Sequence, residues 1–252
     1  KWDPITLYKP MLTLENMYKF TRDPYYWRET TCNTIKIGGL TAFLTLLISY
    51  PIAYYVTLTS TRERTLLTLG FILPLFTTVT VGTLGWYILF LPYGAIHRFL
   101  QLFGIQGPVR LLKTLPALLI VMVHLHLPYA LLILAASIQS IPREYIHAAR
   151  VLGAPTWRIF LKIMLPLTMP GIVSSLVLVF TLSASAYFVP IIITGQAIPL
   201  LPIVIWRFTG EVLNWPFAAF VSLILFVSTM LGMYFIIVAG NIISKRGKWR
   251  MV

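Results

Sequence analysis

The 252-residue sequence is 58% hydrophobic and 11% charged, with a net charge of +13 and mean hydropathy of +0.83. A soluble domain carries about 25% charged residues, so a soluble fold of this composition would lack polar surface. The basic residues sit mostly between apolar runs, not in one cluster, which argues against nucleic acid and for a membrane protein oriented by its loop charges.

Residues 1–32 are aromatic and mixed in charge, with Trp2, Tyr8, Tyr18, Phe20, Tyr25, Tyr26 and Trp27. Such rings favour a membrane interface. Cys32, the single cysteine, excludes an internal disulfide and a cysteine-cluster metal site, and reads as a small apolar filler beside a membrane boundary. A first span is predicted at about 34–58, since a hydrocarbon core of about 30 Å needs about 20 helical residues. Pro51 inside it is tolerable where neighbours satisfy the freed carbonyl. A tight connection, 59–64, carries Arg62, Glu63 and Arg64.

The second span is predicted at 66–91, with Pro74, Gly82 and Gly85 and with Thr77, Thr78, Thr80 and Thr83 in mid-helix. Those hydroxyls either bond back to their own helix or line a path or a close helix contact. Residues 92–113 read as a loop with a short amphipathic piece at 96–103. The third span, 115–137, holds His124 and His126, and intramembrane histidines raise a site hypothesis. Two residues apart on a helix, they point to roughly opposite sides and do not form one metal site. One hydrogen-bonded between helices and the other near a cavity is the simpler arrangement.

The stretch 143–166, REYIHAARVLGAPTWRIFLKIMLP, carries Arg143, Glu144, His147, Arg150, Arg158 and Lys162 and so cannot lie in hydrocarbon. Pro142 suits a first helical position; Tyr145, Ala148, Ala149 and Leu152 fall three or four apart, and Gly153 interrupts. Small Ala148 and Ala149 would let a partner's backbone come close, and Gly153 can take backbone angles that a side chain forbids. A fourth span is predicted at 167–193, opened by Pro170-Gly171 and carrying Ser174, Ser175, Ser183, Ser185 and Tyr187, hydroxyls that suit either cavity lining or helix packing. A loop at 194–215, a fifth span at 216–243 and a basic tail at 244–252 with Lys245, Arg246, Lys248 and Arg250 complete the chain.

Ala148-Ala149, three residues, Gly153, nine residues, then Ile163-Met164-Leu165-Pro166 resembles the EAA loop of membrane permeases in ATP-binding-cassette (ABC) importers. PLTMPGI at 166–172 and LNWPFAA at 213–219 resemble the spermidine/putrescine permease branch, and the likeness covers about residues 10–245. It implies an all-α integral membrane protein with the type I ABC importer permease fold: five spans here, and one more upstream of Lys1, because DPYYWRETTCNT resembles the external segment that follows a first membrane helix. It also implies a cytoplasmic coupling helix within 141–166 that docks into a cleft on the ATPase subunit, with Glu144, His147, Ala148, Ala149, Gly153, Ile163, Leu165 and Pro166 as its residues. His147 stands where the family usually has glutamate; Glu144 lies one turn earlier.

The resemblance further implies a second permease subunit, identical or paralogous, and an extracytoplasmic solute-binding protein. The setting is a bacterial inner membrane with its lipid, and no nucleic acid is involved. No phosphate-cradling Gly-x-x-x-x-Gly-Lys-Ser/Thr occurs, so the chain cannot supply its own ATPase site of that kind; the resemblance implies a transport subunit, not an enzyme, with ATP and Mg in the partner ATPase and no cofactor or metal of its own. The expected solute is polyamine-like, with iron, opine or phosphonate in neighbouring branches. If 141–166 is cytoplasmic, residues 1–32 lie outside and the C-terminus inside, and the short inner segments hold ten Lys or Arg against two acids. A secondary transporter or channel would ordinarily show intramembrane ionisable groups, for which His124 and His126 are the only candidates, or duplicated broken helices, and the sequence shows no internal duplication; a membrane enzyme would show a gathered set of reactive groups, and no such constellation appears.

Overall fold

A computed structural model describes residues 14–59, 61–102, 104 and 110–248. Residues 1–13 of the aromatic segment, the end of the amphipathic piece at Phe103, Arg250 and the side chains of Lys245, Arg246 and Lys248 lie outside them. The described residues are helical and contain no strand: α1 (Glu15–Arg22), a wide turn Tyr25–Thr30 leading into α2 (Thr31–Leu58), α3 (Thr61–Ile72), α4 (Val79–Phe90), α5 (Ala95–Leu102), α6 (Leu115–Gln139) and α7 (Arg143–Val151). Then follow α8 (Thr156–Ile159), α9 (Leu165–Leu167), α10 (Met169–Ser185), α11 (Phe188–Thr194), α12 (Leu201–Gly210) and α13 (Trp215–Lys248). Three helical stretches, Tyr25–Thr57, Leu115–Gln139 and Trp215–Ile243, are long and apolar enough to cross a membrane, or up to five if two bent pairs each count as one span.

Two of the expected spans are interrupted where the sequence reading expected single helices. The single helix expected at 66–91 is interrupted: α3 tightens at Leu73–Phe76, and Thr78 turns extended before α4. Thr78 accepts a hydrogen bond from the Val81 amide at 3.3 Å, as an N-cap does. Arg62, Glu63 and Arg64 belong to the first turn of α3 and not to a loop. The helix expected at 167–193 likewise stops at Ser185, and α11 starts a new one. The expected loop 194–215 contains α12, whose Pro202 occupies a first-turn position where its missing N–H is not needed. Residues 14–32, expected as part of an external segment, hold α1 and the wide turn.

The chain divides into two compact units. In the first (Lys1–Leu40, Thr77–Met122, Leu182–Leu231) the core is aromatic. Phe20, Phe208 and Phe217 are buried, Tyr26 packs edge-on against Phe208 and Phe217, and Phe208 and Phe217 lie 4.6 Å apart. The Lys19 ammonium sits 4.8 Å above the Phe217 ring. Buried Thr34 receives the Leu201 amide at 3.0 Å, which ties α12 to α2.

In the second unit (Thr41–Phe76, Val123–Thr181, Gly232–Val252) buried Leu131, Leu134 and Ile138 of α6 meet Ala53 and Tyr50 of α2 and Ile172 of α10. A methyl group at Gly171 would overlap Ser137 Cβ, so α10 and α6 meet at the distance of hydrogen. Small residues permit this closeness where lipid offers no hydrophobic drive to association.

Candidate functional site

Helix α7 is nine residues long and buries none of them fully. Pro142, read from sequence as the first helical residue, instead precedes the helix in an extended conformation (ψ 129°), the geometry a residue takes before the first turn. Glu144 in the first turn and Arg150 in the last complement the helix dipole. The end is closed by a left-handed glycine: Gly153 has φ +74°, its amide donates to Arg150 O at 2.9 Å, and the Ala154 amide donates to Ala149 O at 3.0 Å. That bond pair is the Schellman motif, and it requires positive φ.

The helix presents three faces, which follow from its advance of about 100° per residue. Ile146 and Ala149 turn inward onto the second unit's core, joined by Ala154 after the turn. On the outer face Glu144 and Ala148 are exposed, and Tyr145, Val151 and Leu152 are 55%, 88% and 86% exposed. The third face carries Arg143, His147 and Arg150. They line a cavity of about 580 Å³ together with Arg64 of α3, Thr57 and Thr59. So the two alanines part company: Ala148 faces outward and Ala149 does not. Ile163 and Leu165 also pack on that core, and Pro166 is partly buried.

After Gly153 the chain does not run straight into the fourth span. A wide turn, Phe160–Met164, follows α8, and α9 and α10 meet at Thr168; the stretches Thr156–Leu167 and Met169–Ser185 are bent by 64°. Thr168 is fully buried, donates to Met164 O at 3.0 Å and pairs with the Tyr50 hydroxyl of α2 at 2.8 Å. Buried Ile159, Met164 and Ile172 fill the inside of this corner.

The path residues expected from sequence occupy several elements. Thr77, Thr78 and Thr80 lie at the exposed interruption before α4 and in its first turn, not mid-helix, while Thr83 is buried and donates to Val79 O. Ser183 is buried with no recorded hydrogen-bond partner; Ser185 is exposed and donates to Leu182 O at 3.3 Å; Tyr187 is exposed at the start of α11, which packs against α4. On α6, His126 is buried and His124 exposed. Among the described residues no group of three His, Cys, Asp or Glu could hold a metal ion. What the sequence reading missed is the basic face of α7. Its signal was present in the spacing of Arg143, His147 and Arg150, four and three residues apart.

Residues 40–246 match the family described as binding-protein-dependent transport system inner membrane component. The chain is 31% identical over 222 residues to the spermidine/putrescine transport system permease protein PotB of Haemophilus influenzae, covering 88% of this chain and 77% of that one. It is 30% identical over 224 residues to PotB of Escherichia coli, covering 88% and 81%. In three dimensions it resembles a chain from the crystal structure of a bacterial ABC transporter involved in the import of the acidic polysaccharide alginate: TM-score 0.79, 18% identity, 94% of this chain and 85% of that chain covered. At that identity the likeness speaks for the fold.

Proposed function

The chain belongs to the family of binding-protein-dependent transport system inner membrane components, and from that premise we propose how its parts serve import. As a member it is a multi-pass inner-membrane permease subunit of an ABC importer, a transport component and not an enzyme, with the type I permease fold. In our proposal the outer face of α7 docks into an ATPase subunit that binds the ATP and Mg. One observation carries this: a helix with no fully buried residue holds Tyr145, Val151 and Leu152 out to solvent. A surface helix without a partner would place such side chains inward. Glu144, Ala148 and Gly153 belong to this docking part; Ala149, Ile163, Leu165 and Pro166 hold it on the core, and His147 lies on the basic face beside it.

The transmission runs through a corner and not a rod. Movement of α7 reaches α10 by way of α8, the wide turn and Thr168, a packed bend with a hydrogen bond to α2. Packed elements of this kind shift between discrete arrangements when a docked partner moves, and the solute must bind the two arrangements unequally for ATP to drive transport.

The docking face is cytoplasmic in this proposal, with residues 1–32 outside and the C-terminus inside. A solute-binding protein delivers cargo from outside. A second permease, identical or paralogous, completes the pathway. Lipid and that subunit cover α13, whose most apolar stretch within Trp215–Ile243 is only 17% buried by the chain itself. The solute is polyamine-like, supported by about 30% identity to two proteins named as spermidine/putrescine permeases. Thr77, Thr78, Thr80, His124, His126, Ser183, Ser185 and Tyr187 remain candidates for the path.

The test is co-purification. Leu152→Asp should abolish recovery of the ATPase subunit with the permease and leave the permease's own thermal midpoint unchanged, because Leu152 packs on little within the chain. Equal recovery of the ATPase would contradict the docking role.

A further inference from the structure

The third face of α7 has a chemistry of its own. Arg143, His147 and Arg150 fall within about 60° of one another around the helix axis, and Tyr145, Ala148 and Leu152 lie roughly 165° away. The basic face is thus turned from Tyr145, Ala148 and Leu152, with Glu144 and Val151 between the two, and it lines the cavity of about 580 Å³. Arg64 of α3 adds a third guanidinium, and Thr57, Thr59 and Gln139 add neutral hydrogen-bonding groups. Among the described residues no carboxylate lines this cavity. Three guanidinium groups around one hollow repel one another unless an anion joins them.

We propose that this cavity binds a phosphate group, that of an anionic phospholipid. Guanidinium forks match phosphate oxygens two at a time, which favours phosphate over a point anion. The remaining walls are Ile138, Ile141, Ile146 and Met164, so the hollow is cationic and apolar together, as an amphiphile requires. It also lies where α2 and α6, both apolar helices, come to their ends, which is the level of lipid headgroups. Basic pockets between membrane helices take anionic headgroups, with each Lys or Arg near the surface adding to the attraction. The site adds to the transport role; it does not require that α7 dock an ATPase, so either proposal can fail alone.

The test is native mass spectrometry of the full-length chain in neutral detergent with phosphatidylglycerol, with phosphatidylcholine, and with inorganic phosphate. Wild-type protein should retain phosphatidylglycerol over phosphatidylcholine. The variant R64Q/R143Q/R150Q should bind it roughly 100-fold more weakly, and R22Q/R98Q/R110Q, which loses the same charge at exposed positions elsewhere, should bind as wild type does. His147→Glu, which sets a carboxylate among the arginines, should release the lipid without removing any of them. Thermal midpoints in phosphatidylcholine micelles verify that each variant is folded. Equal retention by the R64Q/R143Q/R150Q variant, or no preference between the two lipids, would overturn the proposal. Displacement of phosphatidylglycerol by inorganic phosphate would keep the phosphate chemistry and reassign its source to a soluble anion. Exclusion of phosphatidylglycerol whenever the ATPase subunits are bound would give the cavity to an acidic group of that partner and overturn the lipid assignment.

Discussion

Replacing Gly153 separates shape from space. Its φ of +74° belongs to the left-handed region, yet a methyl group placed there would meet nothing within 4 Å. Gly153→Ala therefore costs backbone strain alone, about 1–2 kcal/mol for an L-residue held left-handed. The chain can escape only by giving up the bonds from Gly153 to Arg150 and from Ala154 to Ala149, at about 0.5–1.5 kcal/mol each. Since the two routes cost alike, the closed turn should lose roughly 5- to 30-fold in population against opened forms. Gly153→Asn should lose less, because asparagine tolerates that region, and Gly153→Val more. The assay is uptake by cells paired with amide hydrogen exchange at Ala154 in the purified permease. Uptake should follow Gly, Asn, Ala, Val in falling order with exchange rising in step, while capture of solute by the external binding protein persists. Wild-type uptake by the valine variant would refute the inference that a closed turn at Gly153 sets the docking helix.

Other positions discriminate further. Gly171→Ala should lower the thermal midpoint, at a cost of about 1–3 kcal/mol for overpacking, and Ser137→Gly in the same chain should restore it, since the overlap is with Ser137 Cβ. Tyr50→Phe removes the bond to Thr168 and should cost about 1 kcal/mol; a double-mutant cycle with Thr168→Val should show coupling that unrelated sites lack. Phe217→Ala empties a fully buried ring position in the first unit and should destabilise by about 3–5 kcal/mol in chemical denaturation.

Helix α7 was legible as a segment outside the membrane because its charges interrupt apolar sequence: no membrane span accommodates Arg143, Glu144, His147 and Arg150 within eight residues. Gly153 as its end was legible for the same reason that the structure uses it, since few residues accept a positive φ. The division of labour between Ala148 and Ala149 was not. Adjacent alanines look alike in sequence, and only the core against which Ile146 packs decides which one turns inward.

Helix interruptions escaped notice because hydropathy averages over them: Leu73–Phe76 is as apolar as its neighbours, and the breaks at Thr78 and Ala186–Tyr187 lie in backbone angles rather than in composition. Helix α12 was hidden by prolines and by Arg207 and Glu211, which read as loop residues but form an exposed pair at 3.8 Å near its end. The basic cavity was hidden because Arg64 joins it from nearly 80 residues away in sequence.

The central claim, that the exposed face of α7 meets the ATPase in the cytoplasm, is tested most directly by one cross-link. With Cys32→Ser removing the single native thiol, Leu152→Cys should join the ATPase subunit through a short bifunctional reagent in inside-out membrane vesicles, and Tyr25→Cys, in the segment proposed to lie outside, should not. Labelling of Leu152→Cys by an impermeant reagent only from outside intact cells, with no cross-link to the ATPase, would contradict the account.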